Sequence, residues 1–195
     1  MSYKFSKTVP VTDMGNSHIN QDAAFTDDNS LGVFDGNGFK GEAMANMAKT
    51  IFETETSDFE SLFASAEDAC RDKLRSILVS NGTPFQEHNG VLYKGGVYDN
   101  LAPFQGGTTA TIVRLNPETG SLSCANVGDS DALYFDDDTS PGEVMTADHS
   151  PTSLEEWKRV RTISPGIKFV FSYGSKVTPR PVWTQYSLGE WYFRL

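Results

Sequence analysis

The stretch Leu31-Gly32-Val33-Phe34-Asp35-Gly36-Asn37-Gly38 decides how this chain is read. Its first half, Leu31 to Phe34, is a short apolar run of strand character. Its second half is a glycine-flanked turn that carries one carboxylate. A strand that delivers Asp35 into such a turn lets the carboxylate and the carbonyl of Gly36 face the same ion. Hard divalent cations such as Mg²⁺ and Mn²⁺ take oxygen ligands of that kind. The glycines permit close backbone approach. By itself an Asp-Gly turn is most often only a turn, so its surroundings must carry the reading. The region Asp27 to Gly38 is no EF-hand, because the ligand spacing of that motif is missing.

Outward from this stretch, residues 23–26 read as a strand, separated from Leu31–Phe34 by the turn-forming Asp27-Asp28-Asn29-Ser30. Two amphipathic helices follow. Over 41–53, Ala43, Met44, Met47, Ala48, Ile51 and Phe52 recur at helical spacing, with both methionines as core filler. Over 58–79 the stripe is Phe59, Leu62, Phe63, Ala66, Cys70, Leu74, Ile77 and Leu78, and Ser57 with Glu60 reads as its capping box. Residues 81–104 read as irregular. Thr108–Leu115 and Leu122–Val127 read as a hairpin around Asn116–Gly120. Ala132–Phe135 is a further strand, running into the acidic loop tip Asp136-Asp137-Asp138. Ser153 and Glu156 read as the cap of a short helix to about Arg161, and the last 30 residues read as mostly extended. Strands, two long helices, then strands again predict a layered α+β architecture with helices on an antiparallel sheet.

Composition bounds the function. The 195 residues are 38% hydrophobic and 22% charged, which is the make-up of a globular protein of one domain, 1–195. Acidic residues outnumber basic ones 26 to 16, for a net charge of −10. That excess argues against nucleic acid or an anionic membrane as partner, since both want a basic face. The two cysteines, Cys70 and Cys124, have neither disulfide-framework nor zinc spacing and read as buried free thiols of a reducing compartment. Asn81-Gly82-Thr83 matches a glycosylation sequon but reads as a turn. The first residues lack the apolar core of a signal peptide, and no apolar run nears ~20 residues. The expected location is cytoplasmic or nuclear, not secreted.

Four further stretches end strand patterns with small residues and, in most, a carboxylate: Asn20-Gln21-Asp22, Gly106-Gly107-Thr108-Thr109-Ala110, Ala125-Asn126-Val127-Gly128-Asp129-Ser130 and Met145-Thr146-Ala147-Asp148-His149. Together and in this order they resemble the metal-dependent protein phosphatases of type 2C, the PPM family. The resemblance is strongest over 15–161, with 162–195 a diverged tail. It implies a four-layer α-β-β-α sandwich of antiparallel sheets flanked by helices, incomplete at the C-terminus. It also implies hydrolysis of phosphoserine and phosphothreonine by water activated on Mg²⁺ or Mn²⁺, with phosphoproteins as substrates or partners. Asp35 would bridge the ions, the Gly36 carbonyl would be a ligand, and Asp22 would belong to the same metal's surroundings, beside Gln21 where the family often has Glu. Gly107, Thr108 and Asp129 match positions that shape the sheet beneath the site.

Three departures set the expected activity. Asn37 stands where the family has the histidine proposed as general acid. General acid catalysis is worth about 10²- to 10⁴-fold, and an amide cannot supply it. Ser17, beside His18, stands in the region of the family's phosphate-gripping Arg or Lys. Beyond Glu156 the sequence has no Asp or Glu except Glu190, so the late metal-binding aspartates are missing and the expected metal load falls to one ion or none. Trp183, Tyr186, Trp191, Tyr192 and Phe193 would cover apolar surface left by missing strands. The expectation is a phosphatase-like domain of weak or lost activity. The alternatives are a catalytically inactive pseudophosphatase acting as a binding or regulatory module, and a truncated product that folds poorly. His18, His88 and His149 lack any paired nucleophile motif.

Overall fold

In a computed structural model of the chain, the described residues are 2–14, 18–88, 90–95, 103–137, 139, 141–149, 156, 158, 159 and 162, with the backbone alone of 170–173, 176–178 and 192–194. The chain forms two compact units, residues 1–146 and 147–195.

In the first unit, β1 (Ala23–Thr26) and β2 (Ser30–Phe34) lead to a short β3 (Gly36–Gly38), then α1 (Gly41–Thr54) and α2 (Phe59–Ser80). A hairpin of β4 (Phe85–His88) and β5 (Val91–Lys94) follows. Next come β6 (Gly106–Thr108), β7 (Ala110–Leu115), β8 (Leu122–Val127), β9 (Leu133–Tyr134) and β10 (Glu143–Val144). The main sheet has the order β1-β2-β7-β8 and is antiparallel throughout. The pairs β3–β6, β4–β5 and β9–β10 are separate two-stranded ribbons. In the second unit, residues 156, 158, 159 and 162 are helical. There β11 (Val170–Tyr173) lies between β12 (Lys176–Thr178) and β13 (Tyr192–Arg194).

Alternation decides which face of the main sheet takes the helices. Paired residues share a face, so Ala23 and Phe34, Phe25 and Gly32, and Gly32 and Ile112 lie on one side. Against that side pack Ala45, Ala48 and Phe52 of α1 and Leu62 and Ala66 of α2, all buried. Four rings tie the layers together. Phe25 stacks on Phe34 at 6.1 Å, Phe34 meets Phe52 of α1 at 5.8 Å, and Phe52 meets Phe63 of α2 edge-on at 5.1 Å. At the other end, Arg114 of β7 lies over Phe59 at 4.8 Å and donates to the Ser57 carbonyl at 2.8 Å, which anchors the start of α2. The α+β class and the helix pair on an antiparallel sheet are as the sequence predicts.

Several local expectations need correction. The cap of α2 is Asp58, not Ser57. Its carboxylate accepts from Ser61 N at 3.0 Å and Ser61 Oγ at 2.8 Å, bonds that hold its pKa below the usual range. Either residue type can cap, and here the Ser57 carbonyl is instead taken by Arg114. Residues 81–104 are not irregular throughout, since they hold the β4–β5 hairpin, fastened to α2 by Arg75 on Glu87. The Asn89-Gly90 dipeptide is the hairpin signal that the reading passed over, because polar β4 shows little alternation. The strand predicted from Thr108 is two strands with Thr109 between them. The cysteines are free but half-buried. Ser153, Arg161 and the side chains of the terminal aromatic residues lie outside the described residues.

The motif glycines differ in what they are for. A Cβ on Gly32 would lie 2.2 Å from the Phe25 ring and 3.0 Å from Ile112, whereas one on Gly107 would meet nothing within 4 Å. Gly32→Ala is expected to cost about 1–3 kcal/mol through overpacking, and Gly107→Ala to stay within about 0.5 kcal/mol of wild type. Urea denaturation of both variants checks this, and equal costs would rule out the steric account.

Candidate functional site

The site is built where β2 and β7 leave the main sheet. Asp35 follows β2 and precedes β3, so it sits at the exit of a core strand. Its amide donates to Thr109 Oγ1 at 3.0 Å, and its carbonyl accepts from Thr109 N at 2.9 Å. Asp22 precedes β1, the strand beside β2. Its amide donates to Asn20 Oδ1 at 3.0 Å, and Asn20 Nδ2 donates to Thr12 Oγ1 at 2.9 Å. Both aspartates lie on the surface.

These anchors bring the two carboxyl groups together, and Asp35 has its pKa raised. The largest cause is partial loss of hydration on its protein-facing side, although the residue is exposed by area. Next come the charges of Asp22 and then Asp129, and last a hydrogen bond with Asp22. Asp129 stands in the Gly128–Ser130 turn, where Gly128 has φ 103° and a Cβ would lie 2.6 Å from Thr109 Cγ2. Glycine is required there on both counts.

Gly36 is needed for a different reason from the one its turn implies. It is buried, and a Cβ would lie 2.3 Å from the Gln21 carbonyl oxygen and 2.4 Å from that of Gly41. The entry to β1 and the start of α1 therefore close directly on the Gly36 peptide. Gln21 Nε2 also donates to the Gly38 carbonyl at 3.1 Å, tying the turn down from the same side. Gly38, at φ 66°, and Lys40, at φ 62°, bend the chain into α1. Asn37 is exposed on β3, opposite Gly107 of β6. Gly107 and Thr108 form that ribbon beside the turn. Ser17 lies outside the described residues, and His18 is exposed.

The sequence reading quoted Thr109 and Ser130 within its motifs without giving them a role, and it passed over Thr111. Thr109 bonds Asp35 and lies 2.7 Å from Ser130 Oγ, and Thr111 Oγ1 donates to the Ser130 carbonyl at 2.6 Å. Both threonines are buried. Their signal was the i, i+2 spacing of two hydroxyls at the head of the strand that begins at Ala110.

Two carboxylates set against each other, next to a buried backbone turn, are hard oxygen donors whose mutual repulsion a divalent cation would relieve. The donors fit one such ion in kind. Among the described residues no group of three or more His, Cys, Asp or Glu is placed to hold a metal, so a cation here would take its remaining ligands from carbonyl groups and water.

The model of the family described as Protein phosphatase 2C matches residues 4–170, and the chain belongs to that family. No curated protein matches it. Among solved structures it is similar to a crystal structure of the PPM Ser-Thr phosphatase MsPP from Mycobacterium smegmatis in complex with cacodylate. The identity is 26% and the TM-score 0.49, over 79% of this chain and 57% of that one. This chain therefore spans little more than half of that chain's length. Among the described residues, no helix is long and apolar enough to cross a membrane.

A carboxyl whose pKa is raised on folding costs stability where it is ionised. The cost is absent below the unfolded value, about 3.9, and develops as pH rises above it. With chelator present, Asp35→Asn is expected to raise the Tm by about 1–3 °C at pH 7, a modest gain because the group is solvent-screened. That gain should vanish below about pH 4. Thermal melts across pH check it, and a lower Tm at pH 7 would refute the repulsion.

Proposed function

We propose that this domain acts on phosphoserine and phosphothreonine in proteins, with one Mg²⁺ or Mn²⁺ held by Asp22, Asp35 and the Gly36 carbonyl. Turnover is slow because Asn37 takes the place of a proton donor. The observation that supports this reading is the meeting of Asp22 and Asp35 at adjacent strand ends within a protein phosphatase 2C domain. When bound, such a cation supplies hydroxide near neutral pH and offsets charge on phosphoryl oxygens. The protein's own part is positional. Asn20 and Thr109 hold the backbones of the two aspartates, while Gln21 and Gly41 close on the turn that presents Asn37. The Asn37 amide can hydrogen-bond a phosphoryl or leaving-group oxygen, but it has no titrating proton to give the departing alkoxide.

Asn37 also favours a second reading, a pseudophosphatase that binds phosphoproteins without turning them over. The two separate on one residue. If the cation centre works and lacks only its acid, Asn37→His should raise Mn²⁺-dependent hydrolysis of a phosphothreonine peptide about 10²-fold. Asp35→Asn should abolish it. An Asn37→His protein that folds and shows no gain would leave the binding module.

A further inference from the structure

We propose that the Thr109 hydroxyl is the positioning group that sets Asp35 for the cation, by standing in for a backbone carbonyl in the β-ladder. The inference rests on the reading that Asp22 and Asp35 hold that cation. β2 and β7 pair from Ser30 with Arg114 to Val33 with Thr111. β3 and β6 pair from Gly36 with Thr108 to Gly38 with Gly106. The register is the same in both, so Asp35 falls opposite Thr109 across the break. In a regular hydrogen-bonded antiparallel pair, the two residues exchange both of their N–H···O=C bonds.

Here one of those bonds is kept, from Thr109 N to the Asp35 carbonyl at 2.9 Å. The other is replaced, since the Asp35 amide donates to Thr109 Oγ1 at 3.0 Å, and the Thr109 carbonyl accepts instead from the Thr108 hydroxyl at 2.8 Å. A hydroxyl branching from Cβ lies off the carbonyl's position. The swap therefore turns the ladder at the residue that carries the carboxylate without slipping the register. The same hydroxyl lies 2.7 Å from Ser130 Oγ, and its neighbouring methyl closes on Gly128. One side chain thus sets both the strand end that carries Asp35 and the turn that carries Asp129. Thr109 is 8% exposed, so these bonds are shielded from water and are not readily replaced by it.

Calorimetric titration of the whole chain with MnCl₂ tests this. Thr109→Val keeps the branched shape and loses the hydroxyl, so Mn²⁺ affinity should fall about 10- to 100-fold. Thr109→Ser keeps the hydroxyl and should bind within about 3-fold of wild type. In amide spectra, Asp35 and Ser130 should shift together in Thr109→Val and stay in place in Thr109→Ser. If Thr109→Val does not fold, Ser130→Ala reads the same relay and should also weaken binding. Wild-type affinity in Thr109→Val, or in Ser130→Ala in its stead, overturns the inference, as does a Thr109→Ser protein as weak as Thr109→Val. Wild-type protein that takes up no Mn²⁺ overturns both the inference and the reading beneath it.

Discussion

The exchange between Asp35 and Thr109 is the constraint on which the candidate site depends. Two strands leave the main sheet at the same level, and their continuations pair again as a short ribbon. A break shared by two strands would ordinarily leave polar backbone groups without partners. Here the Thr109 side chain takes the Asp35 amide and the Thr108 side chain takes the Thr109 carbonyl. The bend is therefore made without orphaned donors, and it falls at the point where a carboxylate is presented.

Behind the bend the aromatic stack gives it something rigid to bend from. Phe34 immediately precedes Asp35 and is almost wholly buried, between Phe25 of its own sheet and Phe52 of α1. Phe52 in turn meets Phe63 of α2. Burying a phenylalanine of this kind is worth about 1.5–3 kcal/mol. The backbone position of Asp35 is thus fixed by core packing on one side and by hydroxyl bonds on the other. Repulsion of Asp35 by Asp22 and Asp129 is therefore held in place, where a looser turn would relax it by moving apart.

Elements with strong periodicity were legible in the sequence. The α1 stripe shows in Met44, Ala48 and Phe52, and the strand-turn pattern placed Asp35 at a strand exit. What escaped was carried by side chains that substitute for backbone. Asp58 and Ser57 are equally good caps on paper, and Asp58 takes the role while the Ser57 carbonyl accepts from Arg114, which lies far off in sequence. Thr109 reads as an ordinary strand residue until the partner strand is known, because its role depends on register. Gly36 was read for its carbonyl and for close backbone approach, while the packing of the Gln21 and Gly41 peptides against its Cα, which no Cβ could share, did not show in the sequence. Long-range pairing, not local propensity, decides each of these.

The geometry of the Asp35–Gly38 turn is also independent of what stands at residue 37. It is set by Gln21 on the Gly38 carbonyl, by the pairing of Gly36 with Thr108 and Gly38 with Gly106, and by the Phe39 amide on the Gln105 carbonyl at 2.7 Å. None of these contacts uses the Asn37 side chain, which is exposed. A histidine and an asparagine therefore cost the fold nearly the same, while differing by a titrating proton. Stability places little constraint on the side chain at this position, so under the proposed function the identity of residue 37 bears on proton transfer and not on folding. A chain can keep the protein phosphatase 2C architecture and its paired aspartates while its capacity for proton transfer changes independently.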